Sequence, residues 1–229
     1  MKTIRVILTV ALGLSCLPEA LGQPVDKWFW PAAQVQSEFF DRLGVSLDFE
    51  ARVNEDYTNL RTFFGELETK WKFNKYLSTS LAYRLGGRQA DISDYAKGQR
   101  ITLFVYGKLD VSKFSMTNRA GVFRQFLENA GDPVDYLRDK LTVKFDLTKK
   151  VRPLVYGELF YRLDSDPRKI DEYRIGGGVE YDITKHHEVK AVYIFAEQIN
   201  VSKPDVRLVW ALTYTFKVKF KKKETETEN

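Results

Sequence analysis

From position 206 to 220 the chain keeps large apolar residues at every second position, "VRLVWALTYTFKVKF". Leu208, Trp210, Leu212, Tyr214, Phe216, Val218 and Phe220 share one side of an extended chain. Arg207, Val209, Ala211, Thr213, Thr215, Lys217 and Lys219 share the other, because successive side chains of a strand point to opposite faces. Strands of globular proteins usually run only about 5–6 residues. The same period returns at 45–54, 61–73, 77–88, 100–110 and 173–183, and less cleanly at 115–126, 136–146, 151–164 and 187–200. That makes ten segments. Most are long enough for a membrane-crossing strand, which needs about 9–11 residues at its usual tilt.

The connections alternate as well. "NKY", "VSKF", "LTKK" and "TKHH" are short, whereas "EDYTN", "GRQADISDYAKG", "LENAGDPV", "DSDPRKI" and "INVSKPD" belong to long ones. Short turns on one side and longer loops on the other are the habit of outer-membrane barrels. Ten strands counted from Val45 put both ends of the chain on the short-turn side. The segment 28–40 also alternates and would make eleven. Single-chain bacterial barrels have even strand numbers, so the pattern predicts ten strands with 28–40 inside or beside the barrel, or else twelve with a further strand. The expectation is therefore an all-β, antiparallel, up-and-down transmembrane β-barrel. Residues 1–22 form its signal peptide, 23–44 an N-terminal segment, 45–220 the barrel, and 221–229 a polar tail.

The two faces differ in chemistry. One carries Leu, Val, Phe, Tyr and Trp, and a Lys or Arg there would cost about 2–4 kcal/mol at the bilayer midplane. Trp71, Tyr83, Tyr161, Tyr173, Tyr181, Tyr193, Trp210 and Tyr214 are candidate interfacial aromatics. The other face carries Asp48, Glu50, Arg52, Glu66, Glu68, Lys70, Arg84, Arg88, Arg100, Lys108, Arg138, Lys140, Lys144, Glu158, Arg162, Arg174, Glu180 and Glu188. Open aqueous porins need about 16–18 strands. A narrower lumen lined by long side chains of both signs is expected to fill with ion pairs, since an isolated buried ion costs several kcal/mol. The competing readings are a narrow channel for small solutes, and a soluble periplasmic barrel turned inside out around a hydrophobic ligand.

Composition narrows the function classes. Lys2 and Arg5 precede an apolar run, Ile4 to Leu14, and "ALG" offers small residues before a cut at Gln23, the pattern of an export signal. Cys16 is the single cysteine, so the mature chain has no disulfide and no thiolate metal site. Gly13-Leu14-Ser15 before it lacks the Leu that a lipoprotein signal carries at the −3 position. No mature stretch approaches 18 uninterrupted apolar residues. The 36 basic residues only slightly exceed the 31 acidic ones and are spread along the chain, which argues against a nucleic-acid partner. His186 and His187 are the only histidines, adjacent and therefore on opposite faces, a poor metal clamp. A hydrolase would need His187 near Ser78 or Ser80, and nothing in the sequence joins them. "RIGGGVEY" lacks the Lys and helix of a phosphate loop, and its glycines suit a bend or aromatic packing on bare backbone. The chain is read as a non-enzyme without metal or cofactor. Its expected partners are outer-membrane lipid, the barrel assembly machinery, and a surface ligand or protein at the long loops.

"YLRDKLTVKFDLTKKVRPLVYGELFYRLD" and "IDEYRIGGGVEYDITKHHEVKAVYIFAEQIN" carry a resemblance. With "FGELETKWKFNKYLSTSLAYR" and the early Trp28 to Trp30 segment, they resemble the outer-membrane barrel family of Gram-negative bacteria catalogued as domain of unknown function 2490. The shared features are Arg138 with Lys140, Glu158 with Phe160-Tyr161-Arg162, Tyr173-Arg174, and the "KHH" turn followed by Tyr193 and "EQIN". The resemblance spans nearly the whole mature chain. It implies a barrel and brings no activity. Many such barrels end on an aromatic that the assembly machinery reads. This chain ends on "KKKETETEN", so Phe216 or Phe220 would serve that role internally.

Overall fold

The computed structural model of the chain describes residues 25–39, 42–55, 57–91, 94–128, 131–202 and 204–219. The expected signal peptide at 1–22, the tail at 221–229 and Phe220 lie outside them. The described residues form eleven strands: β1 (Val25–Phe39), β2 (Leu43–Asn54), β3 (Asn59–Lys72), β4 (Leu77–Asp91), β5 (Asp94–Val111), β6 (Phe114–Leu127), β7 (Val134–Phe145), β8 (Val151–Arg162), β9 (Lys169–Asp182), β10 (His187–Gln198) and β11 (Val206–Lys219). Each pairs with its sequence neighbours, and β1 and β11 close the ring into a barrel.

The strand count corrects the expectation of ten or twelve. The segment 28–40 neither lies inside the barrel nor needs a further partner, because its described residues, 28–39, belong to β1, a full strand of the wall. An up-and-down barrel with an odd number of strands must close through one parallel pair. Here β1 and β11 supply it, in unbroken register from Val25 opposite Val206 to Glu38 opposite Lys219. The ends of the described chain are corrected too. Val25 stands at the long-loop end and Lys219 at the short-turn end. The segment "GRQADISDYAKG" is not a long loop either. Its two halves extend β4 and β5 into a tall hairpin, pinned by the Tyr95 hydroxyl donating to the Leu60 carbonyl at 2.7 Å.

The wall turns its apolar set outward. Leu81, Val155 and Ile175 are 57%, 61% and 57% exposed, while Glu158 and Glu180 on the inner face are 3% and 4% exposed. The interior also holds an apolar core. Trp28 and Trp30 of β1 pack with Leu154, Tyr156, Val192, Ile194 and Val209 from β8, β10 and β11. This sector of the lumen is a conventional hydrophobic cluster, burying rings and branched chains that stabilise the closure between β1 and β11. Outside, Asn118 and Asp139 interrupt the apolar surface, the Asn118 amide donating to Asp139 at 2.8 Å. Among the described residues Asp139 is the charged side chain that stands midway up this wall. Other outward charges gather toward the long-loop end, such as Arg124 with Asp135 at 2.6 Å.

Candidate functional site

The site is the lumen, and strand alternation builds it. On each strand alternate residues, the polar set, enter the interior, where burial forces most of their charges to find partners. Glu158 of β8 is the hub. Its carboxylate accepts from Arg138 at 2.6 Å, with Arg174 at 3.6 Å and Arg119 at 3.7 Å. Arg174 also donates to Glu172 at 2.5 Å, and Glu172 in turn holds Arg207. Glu66 takes Arg84 at 2.7 Å and Arg100 at 3.6 Å, and Glu50 takes Arg52 at 2.6 Å. Near the short turns, Glu180 holds Lys144 at 2.7 Å and Arg152 at 3.4 Å. Below it Arg152 and Lys217 share Asp182 and Glu188.

Of the residues expected in the lumen, Asp48, Glu50, Arg52, Glu66, Glu68, Arg84, Arg88, Arg100, Arg138, Lys140, Lys144, Glu158, Arg162, Arg174 and Glu180 line one or both of two cavities. Lys70 lies inside against Tyr106, its ammonium 3.6 Å from the ring centre. Arg162 sits at the long-loop rim, bonded to Asp164. Glu188 joins the network beside the short turns, whereas Lys108 pairs with Asp110 at 3.0 Å in an exposed position. The upper cavity, toward the long loops, measures about 660 Å³, and the lower about 420 Å³. Arg52, Arg84, Arg100, Phe160 and Arg174 line both, so they form the waist between them.

Tyr156 over Gly176 is the expected packing of an aromatic on the bare backbone of the glycine run, whereas the inward phenylalanines are an addition to the sequence reading. Phe64, Phe104, Phe123, Tyr156 and Phe160 fall on the polar face of their strands and carry the cations. Arg84 lies 3.5 Å from the Phe64 ring centre, Lys140 3.5 Å from Tyr156, and Arg119 4.8 Å from Phe104. Such contacts gain strength when both partners leave water. Two rings occupy space that glycines leave open. A Cβ on Gly121 would come within 2.3 Å of the Phe104 ring, and one on Gly176 within 2.4 Å of Tyr156. Each glycine faces its aromatic directly across the strand pair. Strand parity, with a glycine opposite each ring, was the signal available beforehand.

The interfacial candidates are spread over the outer wall. Trp71 and Tyr181 stand beside the short turns, with Tyr214 a little above them. Tyr161 and Tyr173 stand toward the long-loop end, and the Tyr173 hydroxyl donates to Glu197 at 2.5 Å. Tyr83 lies nearer mid-strand, as do Tyr193 and Trp210, whose rings pack at 4.8 Å. His187 points outward, its Nδ1 2.6 Å from the Tyr214 hydroxyl, while His186 Nδ1 lies 2.9 Å from the Lys217 carbonyl. Ser78 and Ser80 are buried on β4 and are not brought near either histidine.

A closed barrel with a charged, ring-packed interior and an apolar exterior is the class of protein this architecture defines. The chain matches the family model described as "Protein of unknown function (DUF2490)" over residues 28–207, and it belongs to that family. No curated protein matches it.

Proposed function

We propose that the chain is an integral outer-membrane β-barrel whose lumen is plugged by its own side chains and which acts through its long-loop end on a surface ligand or protein. The observation that carries this reading is the inverted polarity of the wall, with large apolar side chains exposed on nearly every strand and charges held inside. In water such a surface would be a large apolar patch that monomers rarely tolerate. Strands of 12 to 18 residues support the reading, since they exceed what a bilayer requires. The waist of Arg52, Arg84, Arg100, Phe160 and Arg174 accounts for the plug. Phe216, outward on β11, is the aromatic available to the assembly machinery.

Membrane fractionation with gel mobility before and after boiling tests this. Retention in the outer-membrane fraction and a mobility shift on boiling are expected. A protein that washes free without detergent would overturn the assignment. A narrow channel is the second reading, favoured by the two cavities stacked in series. Single-channel recording separates the two, because a plugged barrel passes no steady current and a channel conducts in discrete steps.

A further inference from the structure

Among the described charged residues that line the lower cavity, four stand outside the ion pairs. Glu158 is taken by three arginines and Glu180 by Lys144 and Arg152. That leaves Lys140 of β7 and Lys190 of β10 with no carboxylate in ion-pair range among the described residues, though both line this cavity. Lys140 rests on the Tyr156 ring instead. On the opposite side, Asp48 of β2 receives only the Ser46 hydroxyl at 3.2 Å and the Gln34 amide. Glu68 of β3 receives the Tyr106 hydroxyl at 2.7 Å. Neither has a cation within ion-pair range among the described residues.

Geometry sets these pairs face to face. In the ring of eleven strands β7 lies across the lumen from β2 and β3, and β10 stands three strands round the ring from β2 and four from β3. The four side chains also share a level, each three to five residues from the short-turn end of its strand. Two negative and two positive groups therefore look at one another across about 420 Å³ without touching. Buried charges left without partners are costly, and strands this regular could have brought them into contact through a longer or shorter residue. Leu154, Val192 and Ile194, at the edge of the Trp30 cluster, give one side of the same space an apolar patch among the paired charges.

We infer that the lower cavity is a binding site for a zwitterionic short peptide. Its terminal ammonium turns toward Asp48 and Glu68, its carboxylate toward Lys140 and Lys190, and an apolar side chain rests on Leu154, Val192 and Ile194. An oxyanion alone would leave Asp48 and Glu68 facing a negative guest, and a cation alone would leave the lysines facing a positive one. A single amino acid holds its two charges too close together to reach opposite walls, whereas a dipeptide separates them. The site lies in the lumen, so the inference stands apart from the membrane assignment.

The test is isothermal titration of the full-length protein in detergent micelles with three probes: glycyl-leucine, N-acetyl-glycyl-leucine, which lacks the ammonium, and glycyl-leucinamide, which lacks the carboxylate. Glycyl-leucine is expected to bind at least about ten-fold more tightly than either blocked peptide, the loss that follows from removing one charged hydrogen-bonding group. Lys140→Met is expected to weaken glycyl-leucine and N-acetyl-glycyl-leucine about ten-fold and leave the amide unchanged, and Asp48→Asn to do the converse. Gel mobility before boiling establishes that each variant keeps its barrel. Equal binding of glycyl-leucine and N-acetyl-glycyl-leucine would reduce the site to an oxyanion pocket and overturn the inference. So would the absence of binding by all three, a comparison that needs no variant.

Discussion

Glu158 and Leu159 are neighbours on β8, and they occupy opposite worlds. Glu158 is 3% exposed among three arginines, and Leu159 is 48% exposed on the outer wall. In a protein dissolved in water the exposures would be reversed, because burial favours apolar side chains and penalises charge. The difference teaches that the fold is organised by two separate rules. The inside is fixed by pairing, where most charges depend on a named partner. The outside is fixed by exclusion, where charge is kept off the middle of the wall save for Asp139 under the Asn118 amide.

Removing a partner should break the inside most severely. Glu158→Gln leaves Arg138, Arg174 and Arg119 facing one another, and a loss of about 3–5 kcal/mol is expected from the urea midpoint of the refolded barrel. Adding a charge should break the outside. Ile175 stands midway along β9, so Ile175→Arg is expected to cost about 2–4 kcal/mol in lipid bilayers. Measured in a micelle-free aqueous buffer, a surface position facing water would show almost none of that loss. Folding assays in vesicles of matched composition read the difference directly.

Smaller changes sharpen the contrast. Gly176→Ala drives a methyl into the Tyr156 ring, and about 1–3 kcal/mol is expected from overpacking on the inner face. Gly157 lies on the outer face with nothing near its missing side chain, so Gly157→Ala should be almost silent in the same denaturation series. The least effect is expected at the long-loop rim. The Arg162 hydrogen bond holds the Asp164 carboxyl below its ordinary pKa. Its stabilisation is therefore present above the unfolded-state value and disappears as pH falls through the lowered one. Being solvent-screened, Asp164→Asn should cost less than about 1 kcal/mol near neutrality, with the difference from wild type vanishing in acid.

The faces were legible in the sequence because period-2 alternation is a local property. Each strand declared which residues would travel together, and charges as far apart as Glu66, Arg138, Glu158 and Arg174 were placed on one surface before any fold was known. Closure was not legible. The parallel pairing of β1 with β11 joins positions at the two ends of the chain, and no local pattern distinguishes it from a strand lying beside the barrel. The tip of the β4–β5 hairpin reads as a loop because "GGRQADISDYAKG" is polar and carries glycines, yet backbone pairing carries it to Asp91 opposite Asp94. The lumenal phenylalanines are hard to read in the sequence because Phe64 and Phe104 are apolar residues on a polar face, where their role is to seat cations and cover glycines. Which charges would be left unpaired in the lower cavity depended on three-dimensional competition for Glu158 and Glu180.

The central claim is that the outer wall lies in lipid. Spin labels at Val155→Cys and Ile175→Cys, with an inward control at Thr213→Cys, test it in reconstituted vesicles through collision with oxygen and with a water-soluble nickel chelate. The account predicts that oxygen dominates at the two outward sites and that their profile differs from the lumenal control. Preferential collision with the nickel chelate at Val155 and Ile175 would place that wall in water and contradict it.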